Sequence, residues 1–273
     1  MNFSLGRNNF YQEIQQPEEQ IDLAKAALYI AQEENPNLDP QEYLNALDTM
    51  AQEVRERLPE QRYPLRVIKT INQYLYQDLG FQGNTKNYYD PSNSFLDQVI
   101  ERRTGIPITL SLVYLEIAKR VDLPMVGIGM PGHFLIRPDF EAAGIFVNAF
   151  NSGEILFEQD CEALLSKIYQ RSVKLQPRFL DSVGAKQFLA RMLTNLKLIY
   201  LNQAQLRQAL GAVERIILLF PQAVGELRDR GLIYYELGQW EQATQDLEFY
   251  LATFPHAQDA AVIRQVLQAM GQS

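Results

Sequence analysis

His133 and Asn148 are the residues of this 273-residue chain best suited to chemistry, and Pro107 stands where their third partner belongs. One arrangement for acyl transfer by a thiol sets a cysteine at a helix N-terminus, a histidine at the opening of one strand, and an Asp or Asn on the next. The helix terminus favours the thiolate, the imidazole moves its proton, and the third residue holds the imidazole ring. From Gly105 to Phe150 the sequence reads as one helix followed by two strands. Pro131-Gly132-His133-Phe134 opens the first strand and Asn148 lies on the second. The helix begins with Pro107. The spacing predicts the frame of an acyl-transfer site without its nucleophile.

Other candidates have plainer roles open to them. Ser111 lies one helical turn beyond Pro107 and is a candidate substitute for the thiol. It is expected to point into the helix packing, and a hydroxyl needs closer base contact than a thiol does. Cys161, the one cysteine, opens a later helix and reads as a small packing residue. Without a nucleophile, His133 reads as a structural ring bonded to backbone or to Asn148. Tyr88, Tyr89 and Asn93 sit in the loop before the central helices and are candidate pocket residues near His133, with aromatic packing as the alternative. Arg228-Asp229-Arg230 puts three charges in a row within a helix, so at least one is expected to pair across an interface or face a ligand. Arg228 and Arg230 are therefore binding candidates. No metal or cofactor is expected: His133 and His256 lie far apart, and Asp78, Asp90 and Asp97 read as helix-end or surface residues. Gly127-Ile128-Gly129 leads into strand rather than helix and fails as a phosphate loop.

The elements that must hold these residues follow from periodicity. Ile21, Ala24, Leu28 and Ala31 predict one helix, Leu44 to Leu58 a second, and Leu65 to Leu79 a third ended by Gly80 and Gly83. Asp39-Pro40 with Glu42 is a helix start with a capping box. Asp90-Pro91 opens another helix through Arg103, and Pro107–Val121 is the central one. Short apolar runs at 125–130, 133–137, 145–150 and 154–157, punctuated by Pro131-Gly132, Ala142-Ala143-Gly144 and Asn151-Ser152-Gly153, predict an antiparallel meander. Helix returns at 159–169, and 172–184 reads as a linker.

Beyond it the chain repeats. Leu198, Tyr200, Gln205, Ala209 and Phe220-Pro221 recur 34 residues later as Leu232, Tyr234, Gln239, Ala243 and Phe254-Pro255. That period, with a small Ala between paired helices and a closing Pro, resembles the tetratricopeptide repeat. A terminal helix at 259–270 would cap two units, close to the minimum that buries its own core.

A net charge of −8, with Lys and Arg scattered, argues against nucleic acid or an anionic membrane as partner. No apolar run approaches the roughly 20 residues of a membrane helix, and the first residues carry no apolar signal core. A cytoplasmic location is the expectation.

Tyr88 to Leu96, Glu101 to Leu110, Pro131-Gly132-His133-Phe134-Leu135, Arg191 to Lys197 and Arg228 to Gly231 together resemble a bacterial family labelled SirB-type, a transglutaminase-like core fused to a tetratricopeptide tail. The resemblance implies an α+β fold: a helical N-terminal region with a papain-like helix-plus-antiparallel-sheet core over 1–172, then an all-α repeat domain over 185–273. Members of that family carry Asp-Pro-Phe where this chain has Asn148-Ala149-Phe150, and active transglutaminase-like enzymes carry Gly-x-Cys where it has Gly105-Ile106-Pro107. The expectation is a non-catalytic interaction protein whose repeat tail binds a protein partner. The competing expectation is a hydrolase or acyl transferase using His133 with Ser111 or another non-Cys nucleophile.

Overall fold

The computed structural model of the chain describes residues 4–140 and 144–271. The Ala142-Ala143 part of the predicted turn lies outside the described residues. The chain divides into two compact units, Met1–Phe188 and Leu189–Ser273. The fold class is α+β.

The first unit begins with helices α1 (Leu5–Ile14), α2 (Leu23–Glu34), α3 (Pro40–Glu56) and α4 (Pro64–Asn72). Local chemistry sets their starts. The Asp39 carboxylate accepts the Gln41 N–H at 2.9 Å with Pro40 at the first helical position, and Asp22 caps α2 through Lys25 N–H. The third predicted helix does not run straight to Gly80. After Asn72 it widens into a π-helical turn over Gln73–Asp78, and Leu79 N–H reaches back to Tyr74 O. Gly83 does not cap a helix. It belongs to β1 (Gln82–Gly83), which pairs in parallel with β2 (Thr104–Gly105).

The predicted helix from Pro91 to Arg103 is broken. A 3₁₀ turn, Pro91–Ser94, is capped by Asp90 through Ser92 N–H, and α5 (Leu96–Arg102) follows after extended Phe95. Next comes α6 (Pro107–Arg120), every residue of which is buried from Pro107 through Ala118. It is the central element of the unit.

The meander forms one antiparallel sheet from β3 (Met125–Ile128), β4 (Leu135–Pro138), β5 (Phe146–Asn148) and β6 (Glu154–Leu156). The spatial order is β6-β5-β4-β3-β7, with Ile136 opposite Val147 and Val147 opposite Ile155. The fifth strand, β7 (Ser182–Val183), was not foreseen. It pairs with Gly127–Ile128 on β3, so part of the segment read as a linker completes the sheet. Helix α7 (Glu158–Ile168) covers one side, with Cys161 and Leu165 packed against Ile128, Met130, Leu135, Phe146 and Leu156.

The second unit is helical, with α8 (Ala185–Asn202) from Leu189 onward, α9 (Leu206–Leu219), α10 (Val224–Glu236), α11 (Trp240–Thr253) and α12 (Ala260–Gly271). The 34-residue period survives at atomic level. Gln205 N–H bonds Tyr200 O at 2.8 Å, as Gln239 N–H bonds Tyr234 O at 2.8 Å. Ala209 and Ala243 are both fully buried where paired helices meet. Phe220 and Phe254 end α9 and α11, each followed by Pro. Among the described residues no helix is long and apolar enough to cross a membrane.

Candidate functional site

Two turns of the sheet bring the polar pair together. Gly132, at φ +73°, lets the chain reverse after Pro131, and His133 N–H bonds Met130 O at 3.1 Å. His133 therefore sits on the turn two residues before β4 rather than on the strand, because the Pro131-Gly132 step delays pairing until Leu135. Asn148 is the last residue of β5 and is almost wholly buried. Its Oδ1 lies 2.9 Å from His133 Nε2. With the amide oxygen accepting, Nε2 is the donor in this contact.

An aromatic row continues outward from the pair. The Phe150 ring packs edge-on to His133 at 6.1 Å between centroids, Tyr88 lies 6.0 Å beyond it, and Tyr89 a further 5.3 Å. Phe150 needs Gly83. A Cβ at that position would come within 2.6 Å of the Phe150 ring and carbonyl. Phe150 had not been singled out in the sequence, where it reads as one more apolar residue of a strand. The Pro-Gly and Asn-Ser-Gly turns on either side were the available signal.

The nucleophile position holds no reactive group. Pro107 is the first residue of α6, buried, and contributes only a ring. Ser111 is fully buried, and its hydroxyl has no hydrogen-bond partner, so it is not bonded to His133. Helix α6 is enclosed on all sides, which leaves that hydroxyl in apolar packing. Cys161 is also fully buried, and burial, reinforced by Asp160 and Glu158, pushes its thiol up to about 12. A thiol held there is neither a nucleophile nor a ligand at neutral pH.

The remaining candidates fall into structural positions. Asn93 is fully buried: its Nδ2 donates to Asn87 O at 2.8 Å and its Oδ1 accepts from Asn84. It clasps the loop that presents Tyr88 and half-exposed Tyr89. Asp97, expected at the surface, is buried on α5, and burial raises its carboxyl pKa against the lowering effect of Gln98. In the second unit the run Arg228-Asp229-Arg230 is satisfied internally. Arg230 makes two bonds to Asp246 at 2.7 and 2.8 Å, Arg228 bonds Asp229 and Asp259, and Asp229 accepts from Lys197 at 2.8 Å. Adjacent helices carry acids at matching heights, a fact invisible within one helix. Among the described residues no three His, Cys, Asp or Glu side chains converge as a metal site.

Beside the pair opens a cleft of about 670 Å³. Its apolar wall is Phe150, Leu156, Leu164 and Ile168, and its rim carries Glu154, Asp160 and Lys167. His133 and Asn148 lie at its inner side. Replacing His133 by Ala is expected to cost about 1–3 kcal/mol, because Asn148 Oδ1 would be buried without its partner. Urea unfolding measures this. Unchanged stability with loss of an amidase or esterase activity would reassign His133 to catalysis.

Comparison of the sequence with known proteins finds both kinds of domain. The profile of the transglutaminase-like superfamily matches residues 41–194, and that of a tetratricopeptide repeat matches residues 196–268. A UPF0162 protein of Xylella fastidiosa is 34% identical over 254 residues, covering 90% of this chain and 89% of its own length. A UPF0162 protein of Vibrio cholerae is 28% identical over 251 residues, covering 92% of this chain and 93% of its own length. Human F-box only protein 21 is 28% identical over 268 residues, covering 86% of this chain but 42% of the human protein. No solved structure shows a significant match. With the helix-plus-sheet core matched over more than half its length and a relative of this identity aligned nearly end to end, the chain belongs to the transglutaminase-like superfamily, among the UPF0162 proteins.

Proposed function

We propose that this chain is a non-catalytic protein-interaction protein. A transglutaminase-like core acts as a rigid binding body, and the repeat tail holds a segment of a protein partner. The single observation that carries the reading is the composition of the site: a His133–Asn148 pair at 2.9 Å with Pro107 in place of a thiol. Thiol-based acyl transfer needs a cysteine for the imidazole to deprotonate, and Pro107 supplies none. Tetratricopeptide repeats mediate protein–protein interaction, which supports a partner for the tail. Human F-box only protein 21 contains the matched sequence within a much longer chain, as expected of a module that can be joined to other modules. The acidic net charge and the single buried thiol support a cytoplasmic protein with no nucleic acid or membrane partner.

The test is turnover. The purified chain, incubated with amide and ester substrates and with a glutamine-donor and amine pair, is expected to show no product that disappears in His133→Ala. A His133-dependent rate would overturn the reading and make the protein a hydrolase or acyl transferase with a nucleophile other than cysteine.

A further inference from the structure

The walls of the cleft differ in kind, and their chemistry defines an occupant. One side is apolar, with Phe150, Leu156, Leu164 and Ile168. The rim carries Glu154 and Asp160 against one cation, Lys167. A second groove of about 400 Å³ adjoins it through the shared residue Ala163, and is lined by Glu158 and Glu162. Of these four acids, Glu154 accepts from Asn151, Asp160 from Phe157 N–H, and Glu162 from Leu175 N–H. Among the described residues none of the four is in an ion pair, whereas Glu226, Asp229 and Asp259 are. Phe157, more than half exposed, stands between Glu154 and Glu158 in the chain.

We propose that the cleft beside His133 and the acidic groove next to it together receive an extended, basic peptide segment of a partner protein, an apolar side chain entering the cleft and Lys or Arg side chains lying along α7. The charge balance selects this occupant. Unpaired carboxylates along a groove attract cationic side chains and raise the association rate of a basic partner. They disfavour a second copy of this chain, whose net charge is −8. The cleft volume falls within the roughly 300–1,000 Å³ of ligand pockets, so an apolar side chain with its neighbours fits. The inference rests on the non-catalytic reading of the core, since a bound peptide is there held rather than processed.

The probes are two fluorescein-labelled peptides of equal length and apolar content, one with alternating Leu and Lys or Arg, the other with Glu in place of each basic residue. The full chain is expected to bind the basic peptide, more weakly as salt rises, and not the acidic one. Glu158→Gln/Asp160→Asn/Glu162→Gln, which keeps an acceptor oxygen at each position, is expected to weaken binding about tenfold, the sum of several exposed charge pairs, with a cooperative thermal transition showing that the variant is folded. Leu164→Asp, which charges the apolar wall, is a second route to the same loss. Equal binding of both peptides, no binding of either, or an affinity indifferent to both variants overturns the inference and leaves the non-catalytic reading standing. Mass spectra of the recovered peptide separate the two claims. An intact peptide agrees with both, whereas cleavage or deamidation that stops in His133→Ala keeps the occupant and overturns the non-catalytic reading.

Discussion

The double variant Pro107→Cys/Asn148→Asp is expected to carry a thiol that ionises at about pH 7 or below, against about 8.5 for an ordinary cysteine. At pH 7 its thiolate fraction would rise from about 3% to about half or more. Two elements of the shift are in place. Position 107 opens a 14-residue helix, whose terminus favours an anion. Asn148 already meets His133 Nε2 at 2.9 Å, so a carboxylate there would hold the ring and favour its charged form. The Nδ1 atom is then the one to pair with the thiol. Proline at the first helical position lacks an N–H that would have no intrahelical partner, so its replacement leaves the helix ladder intact. The ultraviolet thiolate signal, followed against pH, is the measurement. The parent protein is a silent background, because burial pushes Cys161 up to about 12. An introduced thiol that titrates as a free cysteine would show that the site has the outline of a triad without its geometry.

Replacing Lys197 by Met is expected to destabilise the second unit by about 3–5 kcal/mol, the usual effect of removing one member of a buried ion pair. The Lys197 ammonium is almost wholly enclosed and lies 2.9 and 2.8 Å from the two oxygens of Glu226 and 2.8 Å from Asp229. Removing it leaves two carboxylates facing each other, with only Asp229 retaining a second cation, Arg228. Burial lowers the Lys197 pKa, but bonds from Asp229 and Glu226 outweigh it and the net shift is upward. The sign follows. A raised folded-state pKa contributes stability that is complete below the ordinary lysine value and lost as pH climbs through the raised one. The pair is therefore expected to act at full strength across neutral pH and to fade only in alkali. Hydrogen exchange over α8 and α10 measures the effect. Adding Glu226→Gln and Asp229→Asn to Lys197→Met is expected to recover most of the loss. If the single variant keeps parental protection, the cluster is a solvated surface feature.

What the sequence disclosed was mostly what is decided locally. Asp39-Pro40 starts α3 through a bond two residues away, and the 34-residue repeat reappears as equal hydrogen bonds at Gln205 and Gln239. Elements settled by distant partners were not legible. Ser182–Val183 is a strand only because Gly127–Ile128 offers an edge, and two residues carry no periodicity. The π-helical turn after Asn72 has no signature in an apolar spacing that suits a straight helix equally well. Asp97 looked like a surface acid because the covering of α5 is tertiary. At the site, the types of His133, Asn148 and Pro107 were readable from spacing. Their setting was not: the Phe150 row depends on a bare Gly83, and the acids of α7 become a groove wall only beside Leu175 and β6.

Thr109 tethers the start of α6 independently of residue 107. Its hydroxyl oxygen accepts the Ile106 N–H at 3.1 Å and donates to Asn93 O at 2.7 Å, tying the helix to the loop that carries Tyr88. The tether runs through position 109 and not through position 107, so the residue at the head of the helix can be exchanged while helix and loop stay joined.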